Sequence, residues 1–135
     1  MDFLNESILF FITILHLIVI LFIIITPFTN SNYLLSMYII IIPFIMFHWY
    51  VNNNTCSLTI AEKFIREKSY GKEVKNDECF SYKFIAPIYD FNKNYEQYSH
   101  FTWITTSVLW IIAVLNLSNK YISGKITNFN DLMKI

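Results

Sequence analysis

Residues Ile8-Leu-Phe-Phe-Ile-Thr-Ile-Leu-His-Leu-Ile-Val-Ile-Leu-Phe-Ile-Ile-Ile-Thr-Pro-Phe28 form 21 consecutive uncharged positions, with Thr13, His16 and Thr26 the sole polar side chains. At about 1.5 Å per residue the run spans about 31 Å, close to the hydrocarbon thickness of a bilayer. A cleaved signal peptide fits it poorly. Acidic Asp2 and Glu6 precede it, it is too long for an h-region, and no small-x-small site follows. The run reads as a transmembrane helix, and that reading decides the rest of the fold.

Thr29-Asn-Ser-Asn32 is a tight polar connection to a second apolar run, Tyr33 to about Val51, so the two helices must form an antiparallel hairpin. Pro43 inside the second run should kink it, unless Ser, water or a neighbouring helix satisfies the freed carbonyl. A third run, Phe101 to Leu117, reaches about 20 residues when extended back to Tyr98. The expected fold is therefore an all-α integral membrane domain with spans at about 8–28, 33–51 and 98–117. A charged loop (52–97) and a polar tail (118–135) complete it. Composition agrees: 55% of the 135 residues are hydrophobic and 15% charged, more apolar surface than a soluble domain of this size can bury. Formal net charge is zero and no dense basic block occurs, so nucleic acid is excluded as a partner and the lipid bilayer is expected.

The loop begins where His48-Trp49-Tyr50 gives way to Asn52-Asn-Asn54, an aromatic interface followed by amides that cannot stay in hydrocarbon. Thr59-Ile-Ala-Glu62 fits a capping box, with Gly71 placed to close the helix it opens. Ile60, Ala61, Phe64 and Ile65 fall on one face, and Glu62, Lys63, Arg66 and Glu67 on the other. The pattern predicts a short amphipathic interfacial helix, with a helix packed on the protein's own loop as the alternative. Phe80 to Phe91 is too aromatic for a free loop and, with Pro87 and its charges, is expected to form an aromatic interfacial loop.

Three spans place the termini on opposite sides. Seven Lys or Arg lie in the 52–97 loop and three in the tail, so the positive-inside rule puts the N-terminus and loop in the cytoplasm and the tail opposite.

Candidate functional residues are few. His16, near the middle of the first span, is either a proton-relay or ligand residue or a neutral imidazole bonded to another helix, the third span being its expected partner. There, Thr102, Thr105, Thr106, Ala113 and Asn116 form a small or polar stripe suited to close helix packing, within the bundle or in a homo-oligomer. Cys56 and Cys79 share the loop and are a candidate disulfide; a cytosolic loop would instead leave two free thiols. Metal binding by Cys56, Cys79, His48 and His100 lacks a close-spaced pair, and no cofactor is implied. Cys56 beside a helix N-terminus, with His48 or His100 as base, is a candidate nucleophile without an evident oxyanion hole.

Leu15-His16-Leu17, Cys56-Ser57-Leu58-Thr59-x-x-Glu62 and Phe84-Ile-Ala-Pro87-Ile-Tyr89 together resemble a bacterial family of short three-span membrane proteins of unknown function. That family usually has proline where this chain has Ser57. The chain is also similar to uncharacterised membrane proteins of large DNA viruses, through His48-Trp-x-x-Asn-Asn-Asn-x-Cys-x-Leu-Thr-x-x-Glu62 and Pro27-Phe28. The resemblance implies the three-span architecture and no activity. The function expected is structural, assembly-related or that of an accessory subunit. An oligomeric transporter or proton conductor using His16 is the alternative, and a Cys56-dependent membrane enzyme the third reading.

Overall fold

A computed structural model of the chain describes residues 2–75, 78–87 and 95–133. Among these residues the fold is helical throughout: α1 (Phe3–Ile25), a 3-10 turn (Thr26–Phe28), α2 (Asn32–Val51), α3 (Ser57–Tyr70), α4 (Phe80–Ile85), α5 (Tyr95–Ile122) and α6 (Phe129–Leu132). Three segments, Phe3–Phe28, Asn32–Val51 and Glu96–Ile122, are long and apolar enough to cross a membrane. Exposed Phe10, Phe11, Ile18, Phe44, Ile104 and Ile111 make the outsides of these helices apolar. Helix α5 starts three residues before the expected span and runs five beyond it, through Ser118–Ile122 of the expected tail. Of the aromatic stretch Phe80–Phe91, positions 80–87 are described, the first six as α4; positions 88–91 lie outside the described residues.

Contacts divide the chain into two compact units, Met1–Val19 with His48–Phe101, and Ile20–Phe47 with Thr102–Ile135. In the second unit the sequence creates a backbone problem twice and solves it the same way. Proline has no N–H, so the carbonyl four residues earlier loses its helical donor. Pro27 frees Ile23 O, and the buried Tyr38 hydroxyl donates to it at 2.9 Å. Pro43 frees Ile39 O, and the Trp110 indole N–H donates to it at 3.0 Å. In each case an aromatic side chain from another helix supplies what the proline withholds, and α2 continues through Pro43 to Val51.

The α1–α2 connection is held from α5. The Asn116 amide donates to Pro27 O at 3.2 Å and Thr29 O at 3.3 Å, while Lys120 Nζ donates to Asn30 O and, at 3.0 Å, to Asn32 Oδ1. Asn32 in turn donates to Asp131 O in α6, a helix opened by an Asn128–Asp131 capping box. Ala113 and Thr106 are buried, and Thr102 and Thr105 are half-buried, so part of the α5 small-residue stripe is turned inward.

Candidate functional site

The first unit gathers the polar residues singled out from the sequence, and it is built around helix ends. Helix α2 stops because Asn53 and Asn54 adopt left-handed φ values of 55° and 61°, a conformation Asn tolerates better than other non-glycine residues. The Asn54 N–H closes on Trp49 O at 2.7 Å. This turn brings His48, at the end of α2, to the start of α3. His48 Nε2 accepts the Ser57 backbone N–H at 2.9 Å, and the Asn52 side-chain amide lies 3.2 Å from Nδ1.

The expected capping box is not formed. Helix α3 begins at Ser57 with Cys56 as N-cap, so Thr59 and Glu62 lie inside the helix, and the cap comes from His48. Gly71, at φ 67°, closes the helix through its N–H to Glu67 O.

Released from capping α3, Thr59 and Glu62 turn inward. Glu62 is 0% exposed, and both its oxygens lie 3.1 Å from the Phe80 backbone N–H, the first amide of α4. Its Oε1 also accepts from Arg66 Nε at 2.9 Å, an i,i+4 pair. Thr59 Oγ1 lies 3.4 Å from Ser81 Oγ, and the Asn5 amide of α1 donates to Ser69 Oγ at 3.1 Å. Thr59 and Glu62 face inward, while Ile60 and Phe64 are 43% and 65% exposed. Burying a carboxylate is unfavourable unless it is paired and hydrogen-bonded, and here a guanidinium and a helix N-terminus meet both conditions.

The same site holds His16, which is 3% exposed. Its ring packs against Phe80, centroids 6.0 Å apart and tilted 54°, and Glu62 acts on it electrostatically. Nδ1 is buried with no hydrogen-bond partner among the described residues. Asn5 beside Ser69 and His16 beside the Glu62–Phe80 pair together run α3 antiparallel to the first half of α1.

Both cysteines are free thiols, so the candidate disulfide is not formed; each sits at the N-cap of a different helix, Cys56 before α3 and Cys79 before α4. Cys79 is fully buried, and its thiol is 3.8 Å from Lys75 O. Burial, reinforced by Glu62, pushes its pKa up to about 12, which keeps it a protonated packing group. Cys56 is half-buried. The Nε2 lone pair of His48, the base that could activate Cys56, is already taken by Ser57 N–H. His100 is exposed on α5. Among the described residues no three His, Cys, Asp or Glu come together as metal ligands.

Sequence reasoning therefore found His16, His48, Cys56, Thr59 and Glu62, which the structure places in one unit, and Thr102, Thr105 and Thr106, which belong to the other. It missed Phe80, Ser81 and Arg66 as partners of Glu62 and Thr59, and the Tyr82–Tyr98 contact, centroids 5.1 Å apart, which covers the start of α5. It also missed Trp110, although Pro43 announces a carbonyl at Ile39 that needs a donor. Comparison with protein families, curated proteins and solved structures gave no match for this chain.

Proposed function

We propose that the chain is a multi-pass membrane protein with a structural or assembly role, a scaffold or accessory subunit of a larger membrane complex such as a viral internal membrane. Its N-terminus and the 52–97 loop lie on the cytoplasmic side and its tail opposite. Helix α3 is an interfacial element, packed on α1. One observation carries this reading: the polar groups of the loop are spent on the protein's own helix ends. His48 caps α3, Glu62 caps α4, and Thr59 meets Ser81. A catalytic or transport site keeps polar groups available to a ligand, and these are committed. With Ala113 and Thr106 turned inward, a partner helix or second copy approaching α5 meets Ile104, Val108, Ile111 and Leu115, all exposed.

A second reading, an oligomeric proton conductor, rests on His16 Nδ1, which is buried beside Glu62 with no hydrogen-bond partner among the described residues. Proton flux into sealed vesicles separates the two. The structural reading expects wild type and His16→Leu to leak equally, and the leucine variant to fold as well as wild type or better. A wild-type flux that His16→Leu abolishes, in a protein that still folds, would overturn it.

A further inference from the structure

The charge of the α3–α4 segment is not distributed as its composition suggests. Three of its five acidic side chains are turned to backbone amides: Glu62 to Phe80, Glu67 Oε1 to Val74 at 3.2 Å, and Glu78 Oε2 to Lys75 at 2.9 Å. Lys63, Lys68, Lys72 and Lys83 make no ion pair among the described residues, and the last three are exposed. Across residues 56–87, Lys63, Arg66, Lys68, Lys72, Lys75 and Lys83 stand against Glu62, Glu67, Glu73, Asp77 and Glu78, a net charge of +1. Glu62 and Arg66 neutralise one another, so the positive excess is carried by the lysines.

We infer that the outward face of α3 is a docking face for anionic phospholipid, with Ile60 and Phe64 entering the acyl boundary and Lys63 and Lys68 taking the phosphate. The inference rests on the reading that the long helices cross a bilayer. Three features support it. At about 100° per residue, Ile60 and Phe64 lie about 40° apart, Lys63 about 60° beyond Ile60, and Lys68 about 40° beyond Phe64. Two apolar side chains are thus bracketed by long cationic ones, whose stems can lie along the apolar surface while their heads reach the headgroups; Glu67, which falls between Ile60 and Lys63, has its Oε1 turned to the Val74 N–H. Five residues, Asn52 to Cys56, separate the end of α2 from α3, so α3 starts within about 20 Å of a membrane-length helix end. Finally, the face is fixed, since Thr59, Glu62 and Ser69 anchor the opposite side and the helix cannot roll to present another.

The test is native mass spectrometry of the full chain ejected from nanodiscs holding equal phosphatidylglycerol and phosphatidylcholine. A lysine near an anionic surface favours it by about fivefold, so retained lipid should favour phosphatidylglycerol by roughly fivefold or more. The Lys63→Gln/Lys68→Gln variant should fall to near parity, while Lys125→Gln, outside this segment, should keep the preference. Continued shielding of Cys79 from maleimide shows that the double variant is folded. Parity in the wild type, or a preference that survives the double variant, overturns the inference. Release of the protein from vesicles by alkaline carbonate would instead refute the membrane reading beneath it.

Discussion

The Trp110 indole meets the Ile39 carbonyl because Pro43 withholds the amide that an uninterrupted helix would supply, and this arrangement makes a quantitative cycle. Trp110→Phe keeps an aromatic ring and removes the donor. A buried carbonyl left without a partner costs about 1–3 kcal/mol in soluble proteins. Hydrogen bonds between membrane helices are worth less, about 0.6 kcal/mol on average and up to about 1.7. We therefore expect Trp110→Phe to cost about 1.5 kcal/mol, part of it lost ring packing. In a Pro43→Ala background, position 43 supplies its own N–H to Ile39, and the same substitution should cost about 0.5 kcal/mol. The coupling of about 1 kcal/mol is roughly a fivefold change in the unfolding equilibrium constant. Equilibrium unfolding of the four proteins in mixed micelles, titrated with dodecyl sulfate and followed by circular dichroism, measures it. Packing losses cancel in the cycle, so a coupling within about 0.3 kcal/mol of zero refutes the claim that the indole replaces the missing amide.

Glu62→Ala leaves the Phe80 N–H without its carboxylate and should cost about 2–4 kcal/mol, the Arg66 share being small because that side chain reaches solvent. Labelling of Cys79 by maleimide should then accelerate by roughly 30- to 700-fold through local opening of α4, and a change of less than threefold would count against the Glu62 cap. Asn53→Val, at φ 55°, should destabilise by about 1–2 kcal/mol and Asn53→Gly by little or nothing, read as thermal midpoints; equal effects would mean that left-handed strain is not what Asn53 relieves. Burial raises the Cys79 pKa in the folded protein to about 12 from its ordinary 9.0, so the unfolded chain loses this proton first. The contribution is fully present below pH 9 and is lost as pH rises toward 12; Cys79→Ser should flatten that part of the stability profile, and an unchanged alkaline slope would argue against it.

The long helices were legible because a run such as Ile8–Phe28 is recognised by its length and composition alone, without a partner residue. The first three residues of α5 were not, because Glu96 and Gln97 carry no hydropathy signal. Thr59 and Glu62 were found as residues but given the wrong task. Spacing shows that a threonine and a glutamate three apart can cap the helix they open. It does not show that His48, nine residues before Ser57, reaches that amide first, or that an amide at Phe80, eighteen residues beyond Glu62, is waiting for a carboxylate. The partner of Trp110 is a backbone carbonyl 71 positions away, and a carbonyl has no letter in the sequence.

These arrangements share one logic. In a chain this apolar, the expensive objects are backbone groups without partners, and the few polar side chains are placed where helices begin, end or are interrupted. Tyr38 and Trp110 serve carbonyls that prolines release; Asn116 and Lys120 serve the carbonyls of the α1–α2 turn; His48 and Glu62 serve the first amides of α3 and α4. Against that pattern His16 stands apart, since it is buried, beside Glu62, and its Nδ1 serves nothing among the described residues. A side chain whose only task is packing gains from losing such an atom, which is why His16→Leu should hold or raise stability under the structural reading. If that variant instead lowers stability, His16 has a hydrogen-bonded partner in the bilayer. The search for a proton path or a ligand then belongs at the His16–Glu62–Phe80 cluster and not at the α5 threonines.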